Sequence, residues 1–162
     1  GRVTTEGFAI FSRTGAIQMR VRDLMSKSVV TIAPEESAAL AARLLSRHEL
    51  GSLPVCAADG TLAGIVTDRD IVTRCVAAGE EPGRVPVRDI MSPAPSVITP
   101  ETPISDAARL MAQRQVRRLP VVEQGHVVGM LSLGDLARSR RTDTEAAAAL
   151  SDISASLRRK KR

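Results

Sequence analysis

The segment Val21-Arg22-Asp23-Leu24-Met25-Ser26 returns as Val87-Arg88-Asp89-Ile90-Met91-Ser92, 66 residues further along the chain. At that offset, 15 of the 37 positions from Val21 to Ala57 are identical without a gap. One deletion in the second copy then aligns three further pairs: Gly60 with Gly125, Gly64 with Gly129, and Asp70 with Asp135. Chance does not preserve so long a register, so the chain carries two copies of a unit of about 60 residues.

Each copy is predicted to fold as strand, helix, strand, strand, helix. Short β-branched runs at Val30 to Ile32 and Val97 to Ile98 are each closed by a proline, which favours brief strands. Apolar residues at helical spacing follow in both copies. Two hairpins come next, with turns at Asp59-Gly60 and Gln124-Gly125. The second helix of each copy is expected to start near Asp70 and Asp135.

A unit of this size buries too little apolar surface to be stable alone, so the two copies are expected to share a core around a pseudo-twofold axis. The predicted fold class is α/β (α+β), with two tandem β-α-β-β-α repeats and a C-terminal helix. Four regions follow from the pattern: residues 1–19 as a leader or extension, 20–82 and 83–139 as the two repeats, and 140–162 as a C-terminal helix with a basic tail.

Composition excludes several classes of function. Phe8 and Phe11 are the only aromatic residues among 162, which argues against stacking nucleobases or sugars on side chains. The chain has no apolar run of about 20 residues and no signal-peptide pattern, so neither a membrane span nor secretion is expected. Cys56 and Cys75 suit a reducing cytosol. The two histidines, His48 and His126, lack a partnering nucleophile or metal-ligand spacing, so neither an enzyme nor a metal site is predicted.

The positive charge of the chain is concentrated in a tail. Residues 158–162 supply five of the 23 basic side chains, and the remaining 18 balance the 18 acidic ones. A run of this kind is either a solvated end or a contact for nucleic acid or an anionic membrane surface. Nucleic acid is therefore a candidate partner only through the tail.

Two segments place polar groups where a strand meets a helix. They are Gly64-Ile65-Val66-Thr67-Asp68-Arg69-Asp70 and Gly129-Met130-Leu131-Ser132-Leu133-Gly134-Asp135. Unpaired N–H groups at a helix start, with the Thr67 or Ser132 hydroxyl, favour a phosphate, and the aspartate can accept from the paired hydroxyls of a ribose. Arg69, Arg117 and Arg118 are candidates for further phosphate contacts. N-capping alone explains the same residue types, so both interpretations stay open.

The chain resembles a tandem cystathionine beta-synthase domain pair, the Bateman module, over about Val21 to Arg138. The openings Asp-Leu-Met-Ser and Asp-Ile-Met-Ser, the two Leu-Pro-Val triplets and the two Gly-x-x-[Thr/Ser]-x-x-Asp segments carry the resemblance. Each is weak by itself, but together, twice and in register, they are specific. Within the family, the sequence of these motifs is similar to that of small stand-alone bacterial pairs.

The resemblance implies two clefts for adenosine-containing regulatory ligands: AMP, ADP, ATP, S-adenosylmethionine or NAD, none of them a required cofactor. It assigns the ribose to Asp70 and Asp135, and the phosphates to Thr67, Ser132, Arg117 and Arg118. The implied adenine contacts are Ile32, Ala33, Ile98 and Thr99 from the first strands, and Leu53, Pro54, Leu119 and Pro120 as an apolar wall. Gly51-Ser52 stands where the second copy has Arg117-Arg118, so we expect unequal clefts, with the Asp135 cleft favoured for a polyphosphate.

These observations predict a cytoplasmic regulatory module that senses adenine nucleotides, forms a homodimer and acts on an unidentified protein partner. Two alternatives stay open: a nucleic-acid-associated protein that uses the basic tail, and a dimerisation module with empty clefts.

Overall fold

The computed structural model describes residues 18–93 and 96–139. The expected leader up to residue 17, the C-terminal helix and the basic tail lie outside these ranges. Within them, no helix combines the length and the apolar character that crossing a bilayer requires.

Helices and two-stranded sheets alternate along the chain, as the repeat pattern predicts. In order, the elements are α1 (Val21–Leu24), α2 (Ala38–Arg47), β1 (Ser52–Cys56), β2 (Leu62–Thr67), α3 (Asp68–Asp70) continued by a π-helix (Ile71–Val76), a 3-10 turn (Val87–Asp89), α4 (Ile104–Arg114), β3 (Arg118–Glu123), β4 (His126–Ser132) and α5 (residues 133–139). β1 pairs antiparallel with β2, and β3 with β4. The α/β repeat architecture is thereby confirmed.

The first strand of each repeat is shorter than expected. It is reduced to one parallel bridge, Ile32 to Val55 in the first repeat and Ile98 to Val121 in the second. Ile32 donates its N–H to the Pro54 carbonyl at 3.1 Å and accepts from Cys56 N at 2.9 Å. The next donor in a parallel ladder would be residue 34, which is a proline without an N–H, so the ladder ends there.

The opening segment of each repeat packs on the core of the other. Val21, which is fully buried, lies in a cluster with Leu119 and Leu131 of the second repeat. Val87 and Ile90, which open the second repeat, lie in the cluster of the first. Each hydrophobic core is therefore built from both halves of the sequence.

Reciprocal contacts establish the pseudo-twofold axis. Three sets of bridges relate equivalent positions: Arg20–Pro103 with Ser37–Pro86, Ser26–Met130 with Ile65–Ser92, and Thr61–His126, which joins two equivalent residues directly. Because Thr61 and His126 occupy the same position in their repeats, the axis passes between them.

The glycine that begins each Gly-x-x-[Thr/Ser]-x-x-Asp segment is where the crossing segment comes closest. A Cβ on Gly64 would lie 2.5 Å from the Ser92 carbonyl oxygen, and one on Gly129 would lie 3.0 Å from that of Ser26. These glycines therefore provide space for the exchanged backbone.

Candidate functional site

A cavity of about 490 Å³ lies between the repeats, a volume that suits a small molecule. Its lining residues come from both halves of the sequence. From the first repeat they are Ser26, Ser28, Val29, Val30, His48, Leu50, Ser52 and Pro54, and from the second Arg118, Met130, Ser132 and Asp135.

Asp135 is the charged residue buried most deeply in the described chain, at 8% exposure. It forms a capping box: Ser132 N donates to Asp135 Oδ2 at 2.8 Å, and Asp135 N donates to Ser132 Oγ at 3.1 Å. The other carboxylate oxygen, Oδ1, accepts from the Arg138 guanidinium. An ionised carboxylate has about four acceptor positions, so capping leaves acceptor capacity on both oxygens. The capping and ribose-binding interpretations are therefore compatible.

Three N–H groups at the start of α5, which were expected to be unpaired, have partners. Ser132 N and Asp135 N are used in the capping box, and Leu133 N donates to the Arg117 carbonyl at 2.7 Å. In the first repeat, the N–H groups of four successive residues are all satisfied: Thr67, Asp68, Arg69 and Asp70. Most of the backbone donors at the two helix starts are therefore already bonded within the protein, and the phosphate site expected there stays a prediction.

Polar side chains without partners remain in the cavity wall. The Arg118 guanidinium is half-buried and makes no hydrogen bond or ion pair within residues 18–93 and 96–139. Ser52 Oγ is the one buried side-chain oxygen or nitrogen of the described residues that has no hydrogen-bond partner. Ser52 and Arg118 are equivalent positions of the two repeats. The wall therefore offers a cation and a hydroxyl that no group in the described part of the chain uses.

The cavity brings together four of the residues singled out from the sequence, namely Pro54, Arg118, Ser132 and Asp135. Arg117 is exposed and is not part of the lining, because neighbouring residues at a strand start point to opposite faces. Four of the proposed adenine contacts are buried in the two cores: Ile32, Leu53, Ile98 and Leu119. Three others are not among the lining residues: Ala33, Thr99 and Pro120.

The CBS domain family matches residues 21–77 and 87–141. The chain belongs to the CBS domain family. The Bacillus subtilis CBS domain-containing protein YhcV is 41% identical over 134 residues, which cover 83% of this chain and 94% of that protein.

Solved CBS structures share the fold. A crystal structure of CBSX2 in complex with AMP matches with a TM-score of 0.69 and 30% identity, over 77% of this chain and 98% of that one. The crystal structure of Hypoxic Response Protein I with two coordinated zinc ions matches with a TM-score of 0.69 and 32% identity, over 74% of this chain and 98% of that one. In the part of the present chain that is described, no three His, Cys, Asp or Glu residues lie close enough together to hold a metal ion.

The aspartate of the first CBS repeat has surroundings like those of its counterpart. Thr67 N donates to Asp70 Oδ2 at 2.9 Å, Asp70 N donates to Thr67 Oγ1 at 3.0 Å, and Arg74 Nε lies 4.0 Å from Asp70 Oδ1. Arg69 is exposed. Neither Thr67 nor Asp70 lines the cavity described above, so that cavity belongs to the Asp135 side of the CBS pair.

Most of the cavity wall was missed at the sequence level. The residues not anticipated are Ser26, Ser28, Val29, Val30, His48, Leu50, Ser52 and Met130. One signal was present: side chains alternate along a strand, so choosing Pro54 for the wall also favours Ser52 over Leu53. The contribution of Ser26 depends on the exchanged opening segment, for which the sequence gives no signal.

Proposed function

We propose that this CBS pair is a regulatory, non-catalytic module that binds an adenine nucleotide in the cavity between its repeats, with the ribose at Asp135. The observation that carries the proposal is the combination of groups in one cavity. Asp135 is a buried carboxylate with free acceptor positions, and beside it lie a cation, Arg118, and a buried hydroxyl, Ser52, neither of which has a partner among the described residues. Buried polar groups without partners are costly, and a polar ligand would relieve that cost.

The wall divides into parts that match the parts of a nucleotide. Val29, Val30 and Leu50 form an aliphatic surface against which an adenine ring can pack in place of an aromatic side chain. The Ser132 hydroxyl accepts from Asp135 N, and its own proton is free to be donated to a phosphate oxygen. Arg118 supplies the opposite charge.

The ligand would act by linking the two repeats. Residues 26–30 connect the core that holds Val21 with the bridge at Ile32, and four of these five residues line the cavity. A nucleotide that contacts both repeats favours the packing it binds more tightly, and a partner protein or the second subunit of a homodimer can respond to that shift. A cytoplasmic adenine-nucleotide sensor would work in this way. The complex of CBSX2 with AMP supports AMP as the first ligand to test.

Thermal unfolding of the full chain tests the proposal, with AMP, ADP, ATP, S-adenosylmethionine, NAD and zinc chloride added separately. AMP at about a hundredfold excess over its Kd is expected to raise the unfolding midpoint by about 5–10 °C, because a ligand that binds only the folded state stabilises it. If none of the adenosine compounds shifts the midpoint, the proposal is wrong, and a shift with zinc alone would point to a metal-binding protein instead.

A matched pair of variants tests the assignment of the ribose. Asp135→Ala and Asp70→Ala each remove one capping box, so they should cost similar stability. Asp135→Ala is expected to weaken AMP binding about tenfold or more, since it removes charge-assisted hydrogen bonds, whereas Asp70→Ala should leave it within about twofold. Equal losses of AMP affinity in both variants would show a general effect on folding and would contradict the assignment of the ribose to Asp135.

A further inference from the structure

Ser52 and Arg118 are equivalent positions of the two repeats, and both line the cavity beside Asp135. The pseudo-twofold axis that relates Thr61 to His126 exchanges Ser52 with Arg118 as well. The same rotation carries Asp135 onto Asp70. Because it only swaps Ser52 and Arg118 with each other, these two positions also lie beside the equivalent cleft of Asp70. From this pseudo-symmetry we expect the two clefts to meet at Ser52 and Arg118.

The charge available at this meeting point is small. Arg118 is the cation there that has no partner among the described residues, because the guanidinium of Arg138 is already bonded to Asp135. Most of the backbone N–H groups that start α3 and α5 already donate to protein oxygens, so they add little further positive charge. Two nucleotide phosphates placed there together would repel each other across a single guanidinium.

We propose that Ser52 and Arg118 form one phosphate site shared by both clefts, so that the chain binds one nucleotide at a time. This inference rests on the proposed function and specifies its stoichiometry. The Asp135 cleft fills first because its wall contains Val30 and Leu50, where the corresponding residues of the other repeat are Ser96 and Val116, which are less apolar. Ser52, whose hydroxyl has no partner within residues 18–93 and 96–139, is then the residue that sets the number of ligands.

Isothermal titration of the full-length chain with AMP tests the inference. The wild-type protein is expected to bind one AMP per chain. Ser52→Arg gives the first repeat the cation that the second already has, and the fold accommodates arginine at the equivalent position 118. This variant is expected to bind two AMP per chain, and adding Asp70→Ala should return it to one.

Two further variants keep the test decisive. Ser52→Lys supplies the charge with a slimmer side chain and should also give two sites, whereas Ser52→Asn supplies no charge and should keep one. Arg118→Ser is expected to weaken AMP binding at least tenfold while changing adenosine binding less than twofold, because adenosine has no phosphate.

Two AMP molecules per wild-type chain would overturn the inference and leave the proposed function intact. So would one AMP per chain in folded Ser52→Arg and Ser52→Lys, or equal losses of AMP and adenosine binding in Arg118→Ser. Absence of any AMP binding by the wild-type chain would overturn the proposed function itself and the inference with it.

Discussion

Positions 64 and 129 require glycine because the backbone of the other repeat lies against them. Neither has a positive φ, so conformational freedom is not the reason for glycine. The contact with Gly64 is the tighter one, since a Cβ there would meet a backbone oxygen at 2.5 Å, which no side-chain rotation relieves. The glycine of the Gly-x-x-[Thr/Ser]-x-x-Asp pattern thus allows the close contact between the repeats, whereas the hydroxyl residue and the aspartate cap a helix.

Gly64→Ala is expected to lower the free energy of unfolding by about 1–3 kcal/mol, because the added methyl group displaces the segment at Ser92. Gly83→Ala is the matched control, since a Cβ there has no neighbour within 4 Å, and it should change stability by less than about 0.5 kcal/mol. Urea denaturation measures both. Equal effects of the two substitutions would contradict the close packing.

Asp59, in the turn of the first hairpin, should titrate below its ordinary range. The Thr61 hydroxyl donates to Asp59 Oδ1 at 2.7 Å and the Thr61 N–H at 3.0 Å, and these bonds lower the pKa of Asp59, with a smaller contribution from the charge of His126. A lowered folded-state pKa gives stability that is present above the unfolded pKa of about 3.9 and is lost as pH falls through the folded value.

Thr61→Val is expected to raise the pKa of Asp59 towards its ordinary value, because it removes the hydroxyl donor and keeps the N–H and the side-chain shape. Titration of the carboxyl carbon by NMR measures the change. His126→Gln should move the pKa less than Thr61→Val does; the reverse order would contradict the assignment of the main cause to the hydroxyl.

Among the elements, the opening segments are unusual because they stabilise the half of the chain to which they do not belong in sequence. Val21→Ala is expected to cost about 2 kcal/mol through lost burial. The loss of amide hydrogen-exchange protection should be larger in β3 and β4 than in β1 and β2. Val97→Ala, at a residue that is 43% exposed, should leave both hairpins unchanged. A loss of protection centred on β1 and β2 would contradict the packing of this opening segment on the second repeat.

The hairpins were predictable from the sequence because their signals are local. An apolar run and an Asp59-Gly60 turn were enough to predict the first hairpin, whose second strand, β2, spans Leu62–Thr67. In the second hairpin, Gln124 and Gly125 both adopt positive φ, at 51° and 81°, as a tight turn requires. The first strands were overestimated at their start, because β-branched residues indicate a strand but do not reveal that the pairing is limited to Ile32 and Ile98.

At the scale of the whole molecule, the sequence repeat and the packed core do not coincide. A fragment of residues 20–82 follows the repeat boundary but lacks Val87 and Ile90, which complete the first core. A fragment of residues 28–93 includes them. We expect the second fragment to unfold cooperatively on heating and the first to show no cooperative transition, as measured by circular dichroism. Similar transitions in both would show that the exchanged segment contributes little.

The candidate site was predictable in its chemistry but only partly in its composition. Asp135, Ser132 and Arg118 followed from motifs whose residue types suit a ribose and a phosphate. Ser26 and Val30 did not, because they reach the cavity through a crossing segment, and two sequence copies do not reveal which half of the molecule each segment joins. A pattern of residues indicates the kind of ligand group, whereas the wall depends on tertiary packing.

The most direct test of the central claim compares AMP with 2′,3′-dideoxy-AMP, which lacks both ribose hydroxyls, on the wild-type chain and on Asp135→Ala. Calorimetry is expected to show that the wild-type chain binds AMP at least about tenfold more tightly than the dideoxy compound, because the carboxylate accepts from the paired hydroxyls. The preference should disappear in Asp135→Ala and persist in Asp70→Ala. Equal affinities in the wild type, or a preference that survives in Asp135→Ala, would contradict the claim that Asp135 receives the ribose.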